Sequence, residues 1–124
     1  MLNLPKLIGH RGVKNLSPEN TIESIELAQK IGLSWVEFDV KISKDFIPIV
    51  FHDDTLERTT NGTGLPIDFC YDNLKKLDAG SFFYKKKTNI FIPTLEDILF
   101  LASKKNIGLN IELKPNKGFE KENV

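Results

Sequence analysis

Two histidines are the side chains in this sequence best suited to proton transfer, and each ends a short apolar run. His10 closes the run at 7–9, and His52 closes the run at 47–51; the sequence contains no other histidine. An imidazole titrates at about pH 6.5, so a pair of them can act as general base and general acid near neutral pH. We therefore predict that His10 and His52 form an acid/base pair.

Three carboxylates have a spacing that suits a metal site. Glu37 and Asp39 are two residues apart in an apolar stretch, so in a strand both side chains point to one face. Glu112 lies in a similar stretch, NIELK. Converging carboxylates repel each other unless a cation neutralises them, and ligands that are all oxygen favour magnesium, calcium or manganese. We predict a divalent cation, Mg²⁺ or Ca²⁺, at Glu37, Asp39 and Glu112.

Two cationic residues adjoin these groups in the sequence. Arg11 follows His10 and offers a planar fork that suits two phosphate oxygens, and Lys114 offers a point charge for negative charge that develops in a transition state. Together with a metal and an acid/base pair, Arg11 and Lys114 predict that the substrate is a phosphate ester.

The residues suited to chemistry lie at the ends of predicted strands. We predict strands over 7–10, 35–40, 47–52 and 109–113. One helix should begin after an N-cap at Ser17 and end at Gly32; a second should begin with a capping box of Thr94 and Asp97 and end at Gly108. Strands that alternate with helices predict parallel βαβ units, in a barrel or an open doubly wound sheet. In both folds the C-terminal strand ends share one rim.

The stretch 53–92 breaks this alternation. It contains NGTG, a short helical segment and aromatic residues next to a lysine run. We predict that 53–92 is an inserted region within a single domain over 1–124.

Composition excludes several classes of function. The sequence has 17 basic and 17 acidic residues, so no large basic field is available for nucleic acid or an anionic membrane. A lone Cys70 excludes an intrachain disulfide, which favours a reducing cytoplasm. No apolar run is long enough for a membrane span or a signal peptide, so we expect a cytoplasmic protein.

Each of these features has a simpler interpretation when taken alone. A single histidine at a strand end is more often structural. The polar residues of the EFD and NIELK segments could each lie on the solvent-exposed face of an amphipathic strand. What the simpler interpretations do not predict is that four successive strands end in groups that complement one another in a single reaction. That coincidence favours one site.

Several motifs in order along the chain resemble the glycerophosphodiester phosphodiesterases. The motifs are IGHRG, SPENT, VEFDV, PIVFHDDTLERTTNGTG, IPTLEDIL and NIELK. The resemblance implies a (β/α)8 TIM barrel, of which 1–124 would supply about the first four β/α units with a small insertion, 53–92, after the third strand. It also implies the metal-dependent hydrolysis of a glycerophosphodiester, such as glycerophosphocholine, to glycerol 3-phosphate and an alcohol, within glycerol and lipid metabolism.

The resemblance extends to individual residues. It implies that His10 and His52 are catalytic, that a divalent cation is held by carboxylates, and that phosphate is bound by two cations. The carboxylates are Glu37, Asp39 and Glu112, and the cations are Arg11 and Lys114. Glu19 and Asn20, in the PEN motif, are expected to cap the first helix and brace the loop after HRG. Asp53 is expected to orient His52 or to approach the metal.

Two other functions stay open at this point. The chain has about half of the ~250 residues of a complete barrel, so it could be a non-catalytic remnant or binding module that keeps the metal site. It could also be a phosphodiesterase of the lysophospholipase D or sphingomyelinase D type, although a single cysteine argues against the secreted, disulfide-bonded toxins of that type. The free strand edges of a half barrel predict self-association or a complementing second half-barrel.

Overall fold

The structure, a computed structural model, describes residues 3–118; the predicted domain's first two and last six residues lie outside it. The strands are β1 (Gly9–His10), β2 (Trp35–Ile42), β3 (Pro48–Val50) and β4 (Gly108–Leu113). The helices are α1 (Ile22–Lys30), α2 (Tyr71–Leu74), α3 (Ser81–Tyr84) and α4 (Leu95–Lys105), with a 3-10 turn over Pro66–Asp68. The predicted α/β class with a parallel sheet is confirmed.

Strand β2 lies at the centre of the sheet. It pairs in parallel with β1 through Gly9 and His10, and in parallel with β4 along 35–40. Strand β3 departs from the predicted parallel pattern, because it runs antiparallel to β2 on the same edge as β1. Only 43–47 connect β2 to β3, and a parallel neighbour needs a crossover of roughly a dozen residues. The described chain therefore contributes three parallel strands and one hairpin strand.

The alternation of β2 separates the core from the chemistry. Val36, Phe38 and Val40 face α1 and α4 and are almost completely buried. Glu37 and Asp39 therefore share the opposite face of the sheet. One strand thus supplies both the core and two candidate metal ligands.

Strand β3 joins two hydrophobic cores. Val50 belongs to the cluster between the sheet and α1 and α4, whereas Ile49 and Phe51 belong to a second cluster with residues of the inserted region. The partners in the second cluster are Leu56, Leu74, Ala79 and Ile92. The region 53–92 therefore has a core of its own that is fixed to the main sheet through β3.

The helix ends differ in part from the predicted ones. The capping box of Thr94 and Asp97 is confirmed. Helix α1, however, begins after Thr21, whose side chain accepts a hydrogen bond from the Ser24 N–H, and not after Ser17. Helix α4 ends at Lys105, and its C-cap Asn106 takes a left-handed conformation (φ 53°). Gly108 instead begins β4.

Asp78 organises the turn around α3. Its carboxylate accepts hydrogen bonds from the N–H groups of Gly80, Ser81 and Thr88 and from the Thr88 hydroxyl. Burial raises the pKa of Asp78, but these hydrogen bonds outweigh burial and lower that pKa to about 2. A carboxylate whose pKa is lower in the folded chain adds stability above its unfolded pKa, and that stability is lost as the pH falls through the folded pKa.

We expect Asp78→Asn to lower the free energy of unfolding by about 1–3 kcal/mol at neutral pH, because an amide leaves one of the N–H donors facing another N–H. The difference from the wild-type chain should shrink between about pH 4 and pH 2, as the wild-type carboxylate is protonated. Urea unfolding at several pH values measures both effects, with Asp68→Asn, on the 3-10 turn, as the control. An unchanged free energy at neutral pH would contradict this role.

Strand β4 leaves apolar side chains uncovered. Leu113 is 64% exposed and Ile111 is 37% exposed. In the described part of the chain, β4 pairs with β2 alone. The expected free apolar edge is therefore present. The longest described helix, α4, has 11 residues, against about 20 for a bilayer crossing, and no described helix is long and apolar enough to span a membrane.

Candidate active site

Three carboxylates converge on the face of the sheet opposite the helices. Glu37 and Asp39 come from β2, and Glu112 comes from β4, where it pairs in register with Asp39. One oxygen of each lies within 4.8 Å of the others. Asp39 is fully buried, whereas Glu112 is exposed. The structure thus brings the three predicted metal ligands together.

The loop after β1 turns sharply to place Arg11 beside the carboxylates. Arg11 has a left-handed backbone (φ 52°), and its N–H donates to Glu37 Oε2 at 3.0 Å. Its Nε lies 3.4 Å from Asp39 Oδ2. The next residue, Gly12, has φ 81°, and a Cβ there would overlap the Ser24 side chain. Only glycine fits this position, which explains the HRG sequence locally.

Glu19 and Asn20 hydrogen-bond to residues of the site. Both were predicted to cap α1, and neither does. Asn20 is buried with a left-handed backbone (φ 57°), and its Nδ2 donates to Asp39 Oδ2 at 3.0 Å. Glu19 accepts a hydrogen bond of 2.8 Å from Arg11 Nη1. The capping part of the prediction is wrong because Thr21 is the cap, which leaves both preceding side chains free to turn towards the sheet. The bracing part agrees with the structure, because Glu19 accepts from the Arg11 side chain and the Asn20 N–H donates to the Arg11 carbonyl.

Lys114 lies next to two of the carboxylates. Its Nζ donates to Glu112 Oε1 at 3.0 Å and lies 3.9 Å from Asp39 Oδ1. The hydrogen bond from Lys114 lowers the pKa of Glu112, and the same bond raises the pKa of Lys114. Asn116 fixes this segment, because its side-chain amide exchanges two hydrogen bonds with the backbone of Ile42 and so extends the pairing of β4 with β2.

The two histidines border the carboxylates from different sides. His10 is half exposed, and its Nε2 lies 3.7 Å from Glu37 Oε2. His52 Nδ1 lies 2.7 Å from Asp53 Oδ1. A hydrogen bond from Arg58 lowers the pKa of Asp53 well below its usual range. Asp53 is therefore ionised and can only accept, so His52 Nδ1 is the donor. Of the two expectations for Asp53, the geometry favours contact with His52.

Two further residues at the site were not predicted from the sequence. Arg58, in the inserted region, donates to both Glu19 and Asp53. Lys41, on the same face of β2 as Glu37 and Asp39, is almost completely buried and donates to Asp54 and to the Pro115 carbonyl. The two-residue alternation that linked Glu37 to Asp39 also points to Lys41. No sequence periodicity indicates Arg58.

The cavities indicate the position of the site less clearly than the cluster of charged side chains does. An open cleft of about 470 Å³ is bordered by His52, Asp53 and Lys114. A separate cleft of about 240 Å³ is bordered by His10. A larger cavity, about 580 Å³, lies in the inserted region, and no predicted site residue lines it. Size therefore does not identify the site.

The carboxylate cluster fits a divalent cation on its own geometry. Glu37 Oε1 is buried and accepts no hydrogen bond from the described residues. A buried carboxylate oxygen without a donor is costly unless a cation binds it. Arg11 and Lys114 neutralise two of the three nearby carboxylates, which leaves a negative charge among these five groups. All the available ligand atoms are oxygens, as a hard cation requires.

Comparison with known proteins gives a consistent assignment. The model of the glycerophosphoryl diester phosphodiesterase family matches residues 10–124. A glycerophosphodiester phosphodiesterase of Caldanaerobacter subterraneus is 43% identical over 108 residues, which are 87% of this chain and 44% of the relative.

Solved structures agree with that assignment. The structure of an Oleispira antarctica phosphodiesterase, in complex with the product sn-glycerol-3-phosphate, is similar with a TM-score of 0.88 at 47% identity, over 93% of this chain and 47% of that one. A glycerophosphodiester phosphodiesterase from Agrobacterium tumefaciens is similar with a TM-score of 0.79 at 38% identity, over 84% of this chain and 45% of that one.

This chain spans just under half the length of these relatives. The family match, in contrast, includes nearly all of the chain and every predicted site residue. The sequence match, the structural similarity and the rim of carboxylates, histidines and cations lead to one conclusion. The chain belongs to the glycerophosphoryl diester phosphodiesterase family.

Proposed function

We propose that this chain carries the metal and acid/base site of a phosphodiesterase that hydrolyses glycerophosphodiesters, such as glycerophosphocholine, to glycerol 3-phosphate and an alcohol. The observation that carries the proposal is the convergence of Glu37, Asp39 and Glu112, together with an oxygen of Glu37 that is buried and lacks a donor among the described residues. The product bound to the Oleispira relative supports glycerol 3-phosphate as the retained half of the substrate.

In this proposal Glu37, Asp39 and Glu112 hold the divalent cation, Mg²⁺ or Ca²⁺. A cation held there would act as a Lewis acid that stabilises negative charge on the substrate phosphate. Asn20 and the Arg11 N–H fix the carboxylates through hydrogen bonds to Asp39 and Glu37. Two of the three ligands, Glu37 and Asp39, are therefore preorganised by the loop after β1.

The two histidines supply the proton transfers. One takes a proton from the attacking oxygen, which is either water or the neighbouring glycerol hydroxyl, as the new P–O bond forms. If the hydroxyl attacks, the first product is a cyclic phosphate, and water opens it to glycerol 3-phosphate in a second step of the same kind. The other gives a proton to the alcohol oxygen as its P–O bond breaks, so the alcohol leaves neutral. Because Nδ1 of His52 donates to Asp53, its Nε2 is the nitrogen left to exchange a proton with the substrate.

Arg11 and Lys114 bind the phosphate in this scheme. Both lie within 4 Å of Asp39, so a phosphate next to the cation would lie within their reach. Their charges stabilise the negative charge that increases on the phosphate oxygens in the transition state. Lys41 is too enclosed by Asp54 and Pro115 to be assigned the same role.

A second wall is needed to exclude water from this open rim. A closed barrel of this type has eight parallel strands, and ~250 residues are typical, whereas the described chain supplies three parallel strands. Two copies of the described chain would supply six parallel strands, whereas a complementing half with five strands would complete the eight. Such a half therefore fits the uncovered edge of β4 better than a second copy does.

We propose that 53–92, with its own core, is the family insertion and covers the glycerol side of the substrate.

The direct test is the release of glycerol 3-phosphate from glycerophosphocholine by the purified chain, with Mg²⁺, with Ca²⁺ and with a chelator, together with the mass of the chain in solution. We expect chelation to remove all turnover above background, and added metal to restore it. Turnover that survives chelation would contradict the proposed chemistry.

The result also separates the alternatives. A folded chain that binds metal without turnover would favour a binding module or a fragment that needs its other half. Release of choline from sphingomyelin or lysophosphatidylcholine, but not of glycerol 3-phosphate from glycerophosphocholine, would favour the phospholipase D type. A lone exposed cysteine is compatible with a cytoplasmic location, which we also propose.

A further inference from the structure

Arg58 connects the inserted region to the catalytic rim through four hydrogen bonds. Towards Asp53, Nε donates to Oδ2 at 2.7 Å and Nη2 donates to Oδ1 at 2.8 Å. Towards Glu19, Nη1 donates to Oε1 at 2.7 Å and Nη2 donates to Oε2 at 3.0 Å. One planar guanidinium therefore binds two carboxylates and donates two hydrogen bonds to each of them.

Each of these carboxylates holds a residue of the proposed site. Asp53 accepts from His52 Nδ1, and Glu19 accepts from Arg11 Nη1. The connected series is His52, Asp53, Arg58, Glu19 and Arg11. It joins the loop after β3 to the loop after β1. Asp53 is the first residue of the inserted region 53–92, and Arg58 lies five residues further into that region.

The charges of the three central groups depend on one another. Hydrogen bonds to Asp53 and Glu19 raise the pKa of Arg58, and the bond to Asp53 lowers the pKa of that carboxyl. Burial raises the pKa of Glu19, but hydrogen bonds from Arg58 and Arg11 outweigh burial and lower it. Arg58 is about half exposed. A single exposed ion pair contributes little, but paired bidentate contacts fix the orientation of both partners.

Asp53 can act on His52 by fixing the orientation of its imidazole ring. Asp53 follows His52 directly in the sequence, and its side chain has other rotamers that do not reach the ring. Without a group on its far side, Asp53 would hold the ring for only part of the time. A neutral imidazole whose Nδ1 lacks a fixed acceptor exchanges between its two tautomers, and only one of them leaves Nε2 as an acceptor.

We propose that Arg58 is a positioning residue that clamps Asp53 and Glu19, so that His52 keeps its proton on Nδ1 and presents Nε2 to the phosphate, while Arg11 keeps its direction. The effect on turnover rests on the proposed function; the effect on the His52 tautomer does not. Lysine cannot replace Arg58, because one ammonium cannot provide four donors in a planar fork.

The test is a ¹⁵N NMR measurement of the ring nitrogens of His52 at about pH 8.5, where an imidazole is neutral. In the wild-type chain we expect the form with the proton on Nδ1 to dominate. In Arg58→Met and Arg58→Lys we expect its ratio to the other tautomer to fall by about tenfold, with His10 unchanged. Lys30→Met, which removes an exposed cation from α1, serves as the control and should change neither histidine.

Three results would overturn the proposal. One is a wild-type His52 that does not favour a proton on Nδ1, which is informative even if both Arg58 variants fail to fold. The others are an unchanged tautomer ratio in a folded Arg58→Met variant, and an Arg58→Lys variant identical to wild type. Backbone amide spectra establish folding in each case.

The activity assay then separates this proposal from the proposed function. If the chain is active, Arg58→Met should lower kcat about 10- to 100-fold with little change in KM, because a residue that orients a catalytic group acts mainly in the transition state. If the wild-type chain lacks turnover but the tautomer shifts as expected, the proposed function fails for this chain and the clamp stands. Full activity with a shifted tautomer would overturn the catalytic part of the clamp.

Discussion

Replacing Glu37 by glutamine is expected to remove the divalent cation and, with it, nearly all turnover. Glu37 supplies the buried oxygen that has no hydrogen-bond donor among the described residues, so its charge is the one that a bound cation compensates most directly. Glutamine keeps the size and the contact with the Arg11 N–H but loses the negative charge. We expect turnover to fall about 1,000-fold or more, which corresponds to ~4 kcal/mol in the transition state.

Calorimetric titration with Mg²⁺ or Ca²⁺ measures the loss of binding separately from the loss of activity. Glu26→Gln, an exposed carboxylate on α1 far from the rim, is the matched control and should bind metal as the wild-type chain does. A Glu37→Gln chain that binds metal with unchanged affinity would contradict the assignment of Glu37 as a ligand. Apo stability should rise or stay unchanged, because Glu37→Gln relieves repulsion with Asp39.

Replacing His52 by alanine is expected to remove turnover as well, but to leave metal binding intact. His52 contacts Asp53 and borders the cleft with Lys114, and it is not one of the three clustered ligands. A general acid or base contributes about 100- to 10,000-fold to the rate. We expect a loss in that range, measured as glycerol 3-phosphate release at saturating metal.

His10→Ala provides the comparison for His52→Ala. If the two histidines act in one reaction, each single variant should lose most of the activity, and the double variant should lose little more. Full activity of His52→Ala would reject the acid/base assignment, whereas lost metal binding in that variant would assign His52 to the metal site. Both variants remove partly exposed rings, so their folding should be little affected.

Local sequence patterns are sufficient to predict a large part of the site. The two-residue spacing of Glu37 and Asp39 requires a shared face in any strand, and the structure has both on the face opposite the helices. The pairing of Glu112 with Lys114 follows from the same alternation, which continues one residue beyond the end of β4. These features depend only on the backbone geometry of one strand, which is why residue spacing predicts them.

Two features that local periodicity does not determine were predicted wrongly. The direction of β3 follows from the short connection at 43–47, a length limit that the periodicity of the strand does not reveal. The start of α1 moved from Ser17 to Thr21 because Asn20, in a left-handed conformation, turns to Asp39 instead of joining the helix. In both cases a long-range contact or a connection length overrode a local preference.

The sequence by itself determined the α/β class, the identity of the metal and proton-transfer candidates, and the face of the strand on which each lies, because these follow from residue type and strand alternation. Only the tertiary structure decided which side chains form hydrogen bonds and ion pairs with one another. It showed that Arg58 reaches across to Asp53 and Glu19, that Lys41 is enclosed by Asp54 and Pro115, and that one oxygen of Glu37 is buried without a donor from the described residues. Such pairings join residues up to 74 positions apart, and their geometry is fixed by how the loops pack on the sheet, which no local pattern encodes.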